Sequence, residues 1–287
     1  MGPRLATHNK TVILLGIFFR VTVGLRLILL SQAGDHLRIS RREMLIKTGS
    51  LAPALAASVT TTKAFGLPLE ESPRGKLKVV VTGGHPGDPE CGCAGTITRY
   101  AELGHDVVLL YLNRGEGFCG SNDLKDCARI RTSEGEKACA ILKARPAFVG
   151  QYDGRSVIDA SHYEEFRRLL DAEKPDVVFT HWPIDSHRDH RAISALVLDA
   201  WLQSGKKFTL FYYEVAEDTL MFSPTEYVDI SAVESSRRAA CYAHASQDPD
   251  KWYPLQTEIT RFRGMQNGGG QSEGFIRPLR NIGNVLP

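Results

Sequence analysis

The stretch LKVVVTGGHPGDPE, residues 77–90, sets the expectation for the fold. Its first part, Leu77 to Val81, is a short apolar run with three consecutive valines, which is typical of a strand buried on both faces. The run leads into a turn rich in glycine and proline that carries His85 and Asp88. The sequence therefore predicts a core strand that ends at a group of chemically active side chains.

The same alternation of apolar runs and helical patterns continues along the chain. Further strands are predicted at Asp106 to Leu112, Ala147 to Val149, Asp176 to Thr180 and Phe208 to Val215. Helices are predicted between strands at Thr96 to Leu103, Ile130 to Leu142 and Tyr163 to Ala172. Repeated alternation of strand and helix predicts an α/β domain built on a mostly parallel central sheet.

Polar residues that follow the strands are the best functional candidates, because open α/β sheets bind ligands beyond the carboxyl ends of their strands. Histidine and aspartate occur together at two of these ends. The first predicted strand leads to His85 and Asp88, and the fourth leads to His181 and then to DSHRDH, residues 185–190. We therefore expect these two segments to lie close together.

A helix is predicted to begin near Ser186, because apolar residues recur at helical spacing after it. Asp189 and His190 then lie in its first turn. Imidazole nitrogen and carboxylate oxygen are ligands that Zn²⁺ accepts, and three protein ligands plus water is the composition of a catalytic zinc site. We predict that His85, Asp88 and His190 hold a catalytic divalent metal, zinc by ligand type, although Fe²⁺ or Co²⁺ accept the same ligands.

Two other classes of site are disfavoured. The segment GGHPG, residues 83–87, lacks the G-x-G-x-x-G spacing of a dinucleotide-binding loop, and its proline removes a backbone donor that a pyrophosphate needs. The chain has 35 Lys and Arg against 33 Asp and Glu, a net charge of +2, without a basic stripe. Nucleic acid is therefore not an expected partner.

At these motifs the chain resembles the PIG-L/LmbE family of zinc-dependent de-N-acetylases, whose motifs read His-Pro-Asp-Asp-Glu and His-x-Asp-His. The matching segments are HPGDPE, residues 85–90, and HRDH, residues 187–190. The resemblance covers most of residues 76–287. It implies a Rossmann-like, three-layer fold with zinc held by His85, Asp88 and His190.

The resemblance also implies roles for residues outside the ligand set. His187 matches the histidine that stabilises the tetrahedral oxyanion or protonates the leaving amine, and Asp189 matches the carboxylate that orients it. Arg114 lies in a segment similar to the family's Arg-Gly-Glu and is expected to bind substrate. The segment HASQ, residues 244–247, resembles a recurring C-terminal element to which no role is assigned.

One position departs from the family pattern. Gly87 stands where the family has the aspartate that acts as general base for the attacking water. Loss of a general base is expected to lower the rate about 10²- to 10⁴-fold without abolishing metal-assisted hydrolysis. Glu90, displaced by the additional Pro89, is a candidate replacement, and it is equally consistent with a helix N-terminal acid that the macrodipole favours.

We therefore expect a metal-dependent hydrolase that removes the N-acetyl group from an amino sugar of the N-acetylglucosamine type, with a small molecule or glycan as partner. Two alternatives stay open. One is a catalytically impaired zinc-dependent glycan-binding protein, because Gly87 replaces the base. The other is a metal-dependent hydrolase of an ester or phosphoester, with Arg114 meeting an anion. Nothing in the sequence determines the oligomeric state.

The first 64 residues have the composition of a targeting segment. Arg41 and Arg42 precede a mildly apolar run, Leu51 to Val59, that ends near small residues, and this layout resembles a twin-arginine export signal. Further upstream, two arginines interrupt the apolar stretch 11–30, which leaves at most a weak membrane anchor. Membrane contact is therefore expected only during export or through that anchor.

The domain organisation follows from this division. Residues 1–64 are expected to form an N-terminal extension with the export signal, residues 65–75 a linker, and residues 76–287 the catalytic domain. The expected location is periplasmic or otherwise extracytoplasmic. Cys119 and Cys127 bracket a polar loop, and in an oxidising compartment both a disulfide and free thiols are compatible with the sequence.

Overall fold

A computed structural model describes residues 75–278 and 286–287. The predictions about residues 1–64 and about the linker up to residue 74 lie outside the described residues. None of the helices within residues 75–278 combines the length and the apolar character that a membrane span needs. The elements follow in chain order: β1 (Lys78–Gly83), α1 (Asp88–Glu102), β2 (Asp106–Tyr111), α2 (Leu124–Leu142), β3 (Arg145–Phe148), α3 (Ala160–Glu173), β4 (Val177–His181), α4 (Arg188–Gln203), β5 (Thr209–Tyr213), β6 (Glu226–Asp229), α5 (Glu234–Tyr242), α6 (Pro249–Gln266) and β7 (Ser272–Phe275).

Strands β1 to β5 form one parallel sheet in the order β3-β2-β1-β4-β5. Strand β1 is central, and its Val79 pairs with Val107 of β2 on one side and with Val177 of β4 on the other. The predicted α/β fold with a mostly parallel sheet is therefore confirmed. The order of the strands changes direction at β1, so the turns after β1 and β4 lie side by side at the carboxyl edge, where such sheets bind ligands.

Helices cover both faces of this sheet. Successive residues of a strand point to opposite faces, so Val79 packs with helices α1, α2 and α5, whereas Val80 packs with helices α3 and α4. Both valines are fully buried. This arrangement is the three-layer fold that the resemblance implies.

Helix α1 begins at Asp88, so the predicted start at Thr96 is too late. Pro89 lies in the first turn, where its fixed φ angle suits a helix and its missing N–H costs nothing. The carboxylate of Glu90 accepts from the backbone N–H of Gly87 at 3.1 Å, which caps the helix. As a result, Asp88 lies at the very N-terminus of α1, at the edge of the sheet.

The C-terminal elements were not predicted. Strands β6 and β7 pair antiparallel but have only four residues each, and α6 contains the internal Pro254, so neither pattern is visible in the sequence. The buried Glu273 fastens β7 to α1: its carboxylate accepts from the backbone N–H of Gly95 at 2.9 Å and of Thr96 at 2.8 Å. The two-stranded sheet of β6 and β7 is thus part of the same domain.

Two glycines within helices test how tightly α1 packs on the sheet. A methyl group at Gly92 would lie 2.4 Å from Cδ2 of Tyr213, whose ring is held because its hydroxyl donates to the carbonyl of Thr82 at 2.8 Å. We expect Gly92→Ala to lower the free energy of unfolding by about 1–3 kcal/mol, in spite of a gain in helix propensity of about 1 kcal/mol. Urea denaturation measures this change.

The matched control is Gly135→Ala in α2, where the nearest atom to the new methyl group would be Cβ of Pro86 at 3.3 Å. Here the propensity gain of about 1 kcal/mol offsets slight crowding, and we expect a near-neutral change. Equal stability of both variants would contradict the packing described for α1.

Candidate metal centre

Two turns at the carboxyl edge of the sheet carry the predicted ligands. His85 lies in the turn after β1, Asp88 is the first residue of α1, and His190 lies in the first turn of α4. A methyl group at Gly84 would lie 2.9 Å from Cδ2 of His190 and 3.2 Å from Oδ2 of Asp88. Glycine at this position therefore allows the β1 turn to approach α4 closely.

The three predicted ligands meet at the carboxylate of Asp88. Its Oδ2 lies 3.2 Å from Nδ1 of His85 and 3.2 Å from Nε2 of His190. Ligand atoms at zinc distance on a tetrahedron are roughly 3.3–3.4 Å apart, so this spacing and this donor set fit a shared divalent cation. The structure thus places His85 and His190 each in contact with Asp88, but among the described residues these three do not form a set whose donor atoms all lie within 4.8 Å of one another.

Further carboxylates hold the outer nitrogens of both imidazoles. Oδ1 of Asp185 lies 3.1 Å from Nδ1 of His190, so with a metal bound Nδ1 would keep its proton and Nε2 would be the nitrogen that acts as ligand. Nε2 of His85 lies 3.1 Å from Asp153 and 3.2 Å from Asp189, which leaves Nδ1 to face Asp88. Such support fixes the tautomer of metal-binding histidines and raises their basicity.

The charges of the cluster favour a cation. Burial alone would lower the pKa of His190, but Asp88 and Asp185 raise that pKa to about 9. Burial likewise opposes charge on His85, yet Asp88 and its neighbours raise the His85 pKa well above its ordinary value. The pKa of Asp88 lies well below its ordinary value, against the effect of burial, because both imidazoles face it. A metal must displace these protons, so its binding is favoured as pH rises.

His181 joins the cluster, although the sequence predicted no role for it. Its Nε2 lies 3.2 Å from Oδ2 of Asp88, and its ring stacks on that of His190 at 3.9 Å between centroids. Burial and the neighbouring His190 lower the pKa of His181 to about 4, so the ring is neutral and able to act as a ligand. Its position directly at the end of β4 was the only signal in the sequence.

Asp153 and Asp185 were also missed as supports, because a supporting carboxylate carries no motif of its own. Asp153 comes after β3 and Asp185 comes after β4, so both lie beyond the carboxyl ends of strands, as the predicted ligands do. Three overlapping sets of side chains have donor atoms within 4.8 Å of one another: His85 with His187 and His190, Asp88 with His181 and His190, and His85 with Asp153 and Asp189.

His187 lies at the start of α4 beside both predicted histidine ligands, with ring centroids 4.6 Å from His85 and 4.7 Å from His190. Its Nδ1 accepts from the backbone N–H of Asp189 at 3.3 Å, so its Nε2 carries the proton and is a donor. The carboxylate of Asp189 does not orient His187 as the resemblance implies. It contacts His85 instead and accepts from the backbone N–H of Gly154 at 2.7 Å.

Glu90 is fully buried beneath the β1 turn and is absent from the three sets of donor atoms. Its Oε1 accepts from the hydroxyl of Tyr111 at 2.7 Å and lies 3.0 Å from Nε2 of His244. The other oxygen, Oε2, accepts from the backbone N–H of Gly87, so both carboxylate oxygens of Glu90 already have partners. The geometry therefore gives Glu90 a capping and positioning role rather than direct access to the attacking water.

Arg114 is half-buried and lies away from the three sets of donor atoms. Its guanidinium stacks over the ring of Phe148 at 4.1 Å and donates to the hydroxyl of Thr132 at 2.9 Å. Both contacts hold the side chain against the protein surface, so its predicted substrate-binding role gains no support from these contacts.

A cavity of about 230 Å³ adjoins the cluster. It extends from Asp88 and is lined by the buried Arg131 and His244 and by Gln247 and Trp252. The guanidinium of Arg131 donates to the main-chain carbonyls of Pro86 and Phe118. The cavity therefore has a guanidinium, an amide and an indole next to the candidate metal ligands. This lining suits a polar ligand with an apolar face, such as a sugar ring.

Replacement of Asp185 tests whether the outer carboxylates support a metal ligand. Asp185→Asn keeps the shape of the side chain but loses the negative charge next to Nδ1 of His190. We expect the affinity for Zn²⁺ or Co²⁺ to fall about 10- to 100-fold, measured by competition with a chelating dye. Asp199→Asn, which changes the same charge farther along α4, is the control and should bind metal like the wild type. Unchanged affinity in Asp185→Asn would contradict this role.

Comparison with known proteins agrees with the arrangement of the site. Residues 80–201 match the family model PIG-L, described as GlcNAc-PI de-N-acetylase. The chain is 26% identical over 227 residues to the diacetylchitobiose deacetylase of Thermococcus kodakarensis, across 69% of this chain and 82% of the relative.

Two solved structures share the fold. The conserved protein TT1542 of Thermus thermophilus is 28% identical, with a TM-score of 0.64 over 74% of this chain and 98% of the other. The N,N'-diacetylchitobiose deacetylase of Pyrococcus horikoshii, solved with an inhibitor, is 24% identical, with a TM-score of 0.62 over 70% and 84% of the two chains. The similarity thus spans the sheet and both candidate ligand segments.

Proposed function

Because the chain is related to the PIG-L/LmbE family of de-N-acetylases by sequence and by fold, we propose that it is a metal-dependent hydrolase that removes the acetyl group from an N-acetylated amino sugar. The observation that carries the proposal is that His85 and His190 each lie 3.2 Å from Asp88, and that Asp185 lies 3.1 Å from the outer nitrogen of His190. The relatives named above support an N-acetylglucosamine-type substrate.

We propose zinc as the metal, with Fe²⁺ or Co²⁺ as substitutes that the same donors accept. When bound, such a metal supplies Lewis-acid polarisation of the acetyl carbonyl and of the attacking water. His85, Asp88 and His190 hold it, and Asp185 keeps His190 in the tautomer that binds. Buried carboxylates around the imidazoles retain a dication at this position.

The other residues act on the substrate. His187 lies beside His85 and His190, and its Nε2–H donates a hydrogen bond to the carbonyl oxygen as negative charge develops there, or to the departing amine. The indole of Trp252 offers a face for the sugar ring, and Arg131 and Gln247 are placed to bind its hydroxyl groups. The sugar binds in the cavity while the acetamide faces the ligands.

The proposal is tested with the purified full-length chain, loaded with Zn²⁺ and given N-acetylglucosamine and diacetylchitobiose. We expect metal-dependent release of acetate. His190→Ala removes one ligand and should lower the rate at least about 10²-fold, whereas Asp199→Asn should match the wild type. Acetate and amine release are measured together.

The competing functions have their own outcomes in this experiment. Saccharide binding without acetate release would support the glycan-binding alternative, which Gly87 favours because it leaves the family's base position without a carboxylate. Release of alcohol or phosphate from ester substrates without acetate release from amides would support the other hydrolase. Equal acetate release by His190→Ala would contradict the metal mechanism.

We further propose that the protein is exported by its twin-arginine-like segment and acts outside the cytoplasm. The disulfide between Cys119 and Cys127 supports this location, because disulfides persist in oxidising compartments. In a host with a twin-arginine pathway, we expect Arg41→Lys with Arg42→Lys to keep the protein in the cytoplasm, with both thiols free in non-reducing peptide maps.

The matched control changes the two upstream arginines, Arg20→Lys with Arg26→Lys, and should be exported and oxidised like the wild type. Export of both double variants to the same extent would contradict the assignment of the signal.

A further inference from the structure

The position of Gly87 faces His244, a histidine to which no role is assigned from the sequence. A Cβ built on Gly87 would lie 3.7 Å from Cγ and 3.8 Å from Nδ1 of His244. These are ordinary contact distances, so a side chain at residue 87 would lie directly against this ring. The place where related sequences carry a carboxylate is therefore bordered by the imidazole of His244.

His244 is held rigidly in one orientation. Its side chain is fully buried, and its Nε2 lies 3.0 Å from Oε1 of Glu90. The same carboxylate is fixed by the hydroxyl of Tyr111 at 2.7 Å and by the backbone N–H of Gly87 at 3.1 Å. Because a carboxylate only accepts, Nε2 of His244 must carry the proton.

The second nitrogen is left with its lone pair. Within the described residues, Nδ1 of His244 is buried and has no hydrogen-bond partner. A buried polar atom without a partner costs free energy, which the fold tolerates where a ligand or a reaction uses it. His244 lines the same cavity as Gly87, Asp88 and Arg131, and its Nδ1 lies on the side of the ring next to Gly87.

We propose that His244 is the general base of this enzyme, in place of the carboxylate that Gly87 lacks, and that Glu90 is its positioning residue. This inference rests on the proposed deacetylase function. A buried histidine that serves only the core is expected to have both nitrogens paired. His244 instead has one nitrogen held by a carboxylate and the other free, which is the arrangement of an oriented base.

The proton inventory of the step is complete without a further reagent. As the oxygen of water bonds to the acetyl carbon, one water proton passes to Nδ1 of His244 and the carbonyl electron pair moves onto its oxygen. That pair then returns and the C–N bond breaks with its electrons on nitrogen. Protonated His244 gives its proton to the departing amine. The acid product then transfers the second water proton to that amine, so that acetate and an ammonium group leave and His244 is neutral again. His187 donates only a hydrogen bond in this step.

The first test does not depend on activity. Long-range ¹H–¹⁵N spectra of the full-length protein labelled with ¹⁵N-histidine distinguish the two neutral tautomers. We expect His244, assigned by its loss in His244→Gln, to carry its proton on Nε2 in the metal-free and in the Zn²⁺-loaded protein. Glu90→Gln should weaken this preference. A proton on Nδ1 in the wild type would overturn the proposal.

The second test measures acetate release at saturating metal. His244→Gln should keep the metal content of the wild type and lose about 10²- to 10⁴-fold in kcat. His162→Gln changes a partly exposed histidine on α3 that contacts Asp159; it is the control and should match the wild type. Added imidazole should restore part of the activity of His244→Ala, because the space next to Gly87 can admit a small base.

A reciprocal variant tests the exchange of roles. Gly87→Asp combined with His244→Gln should recover activity over His244→Gln alone, because it restores the family's carboxylate. The φ angle of 113° at Gly87 strains any side chain at this position. The single variant Gly87→Ala therefore measures the cost of that strain. The imidazole experiment keeps Gly87 and is free of this effect.

The outcomes separate the two proposals. If the wild type releases acetate and His244→Gln stays within about twofold of it, the base assignment is overturned while the deacetylase proposal stands, since a true general base contributes about 10²-fold or more. If the metal-loaded wild type releases no acetate from any amide, both proposals are overturned.

Discussion

The carboxylate of Asp88 is the constraint on which the site depends. It lies at the N-terminus of α1, where the helix dipole favours negative charge, and its Oδ2 accepts from the backbone N–H of His85 at 2.8 Å. Three imidazole nitrogens lie 3.2 Å from that oxygen. Because backbone and helix fix the carboxylate, the positions of the ligands are set by the fold itself rather than by flexible side chains.

The sheet and the ligand segments were predictable because they follow from local patterns. Buried runs such as Val79 to Val81 mark strands, and a parallel sheet places the ends of β1 and β4 at one edge. The supports were not predictable in this way. Asp153 and Asp185 show their value only through contacts with His85 and His190, which depend on tautomer and side-chain direction. The strands β6 and β7 were also missed. Each has only four residues, and they are held by contacts with residues distant in the sequence, such as those of Glu273 with Gly95 and Thr96.

Gly87 shows how a sequence motif and a structure carry different information. From the motif alone, the loss of a carboxylate suggests impaired catalysis, and Glu90 is the nearest acid along the chain. The structure shows that both oxygens of Glu90 are occupied and that one of them meets His244, 154 residues away in sequence. Only the α/β topology, which packs α5 against α1, brings this histidine to the motif. A substitution in a catalytic motif should therefore be judged with the residues that border the vacated space.

The loop closed by Cys119 and Cys127 connects this reasoning to the location of the protein. The main-chain carbonyl of Phe118 accepts from Arg131 and from Gln247, two side chains of the cavity wall. The N–H of Gly117, two residues before Cys119 and outside the loop that the disulfide closes, donates to Asp153 at 3.0 Å. The disulfide limits the conformations of residues 119–127 and so anchors the end of the segment that carries Phe118 and Gly117. The proposed export would take the chain to an oxidising compartment, where the bond between Cys119 and Cys127 persists.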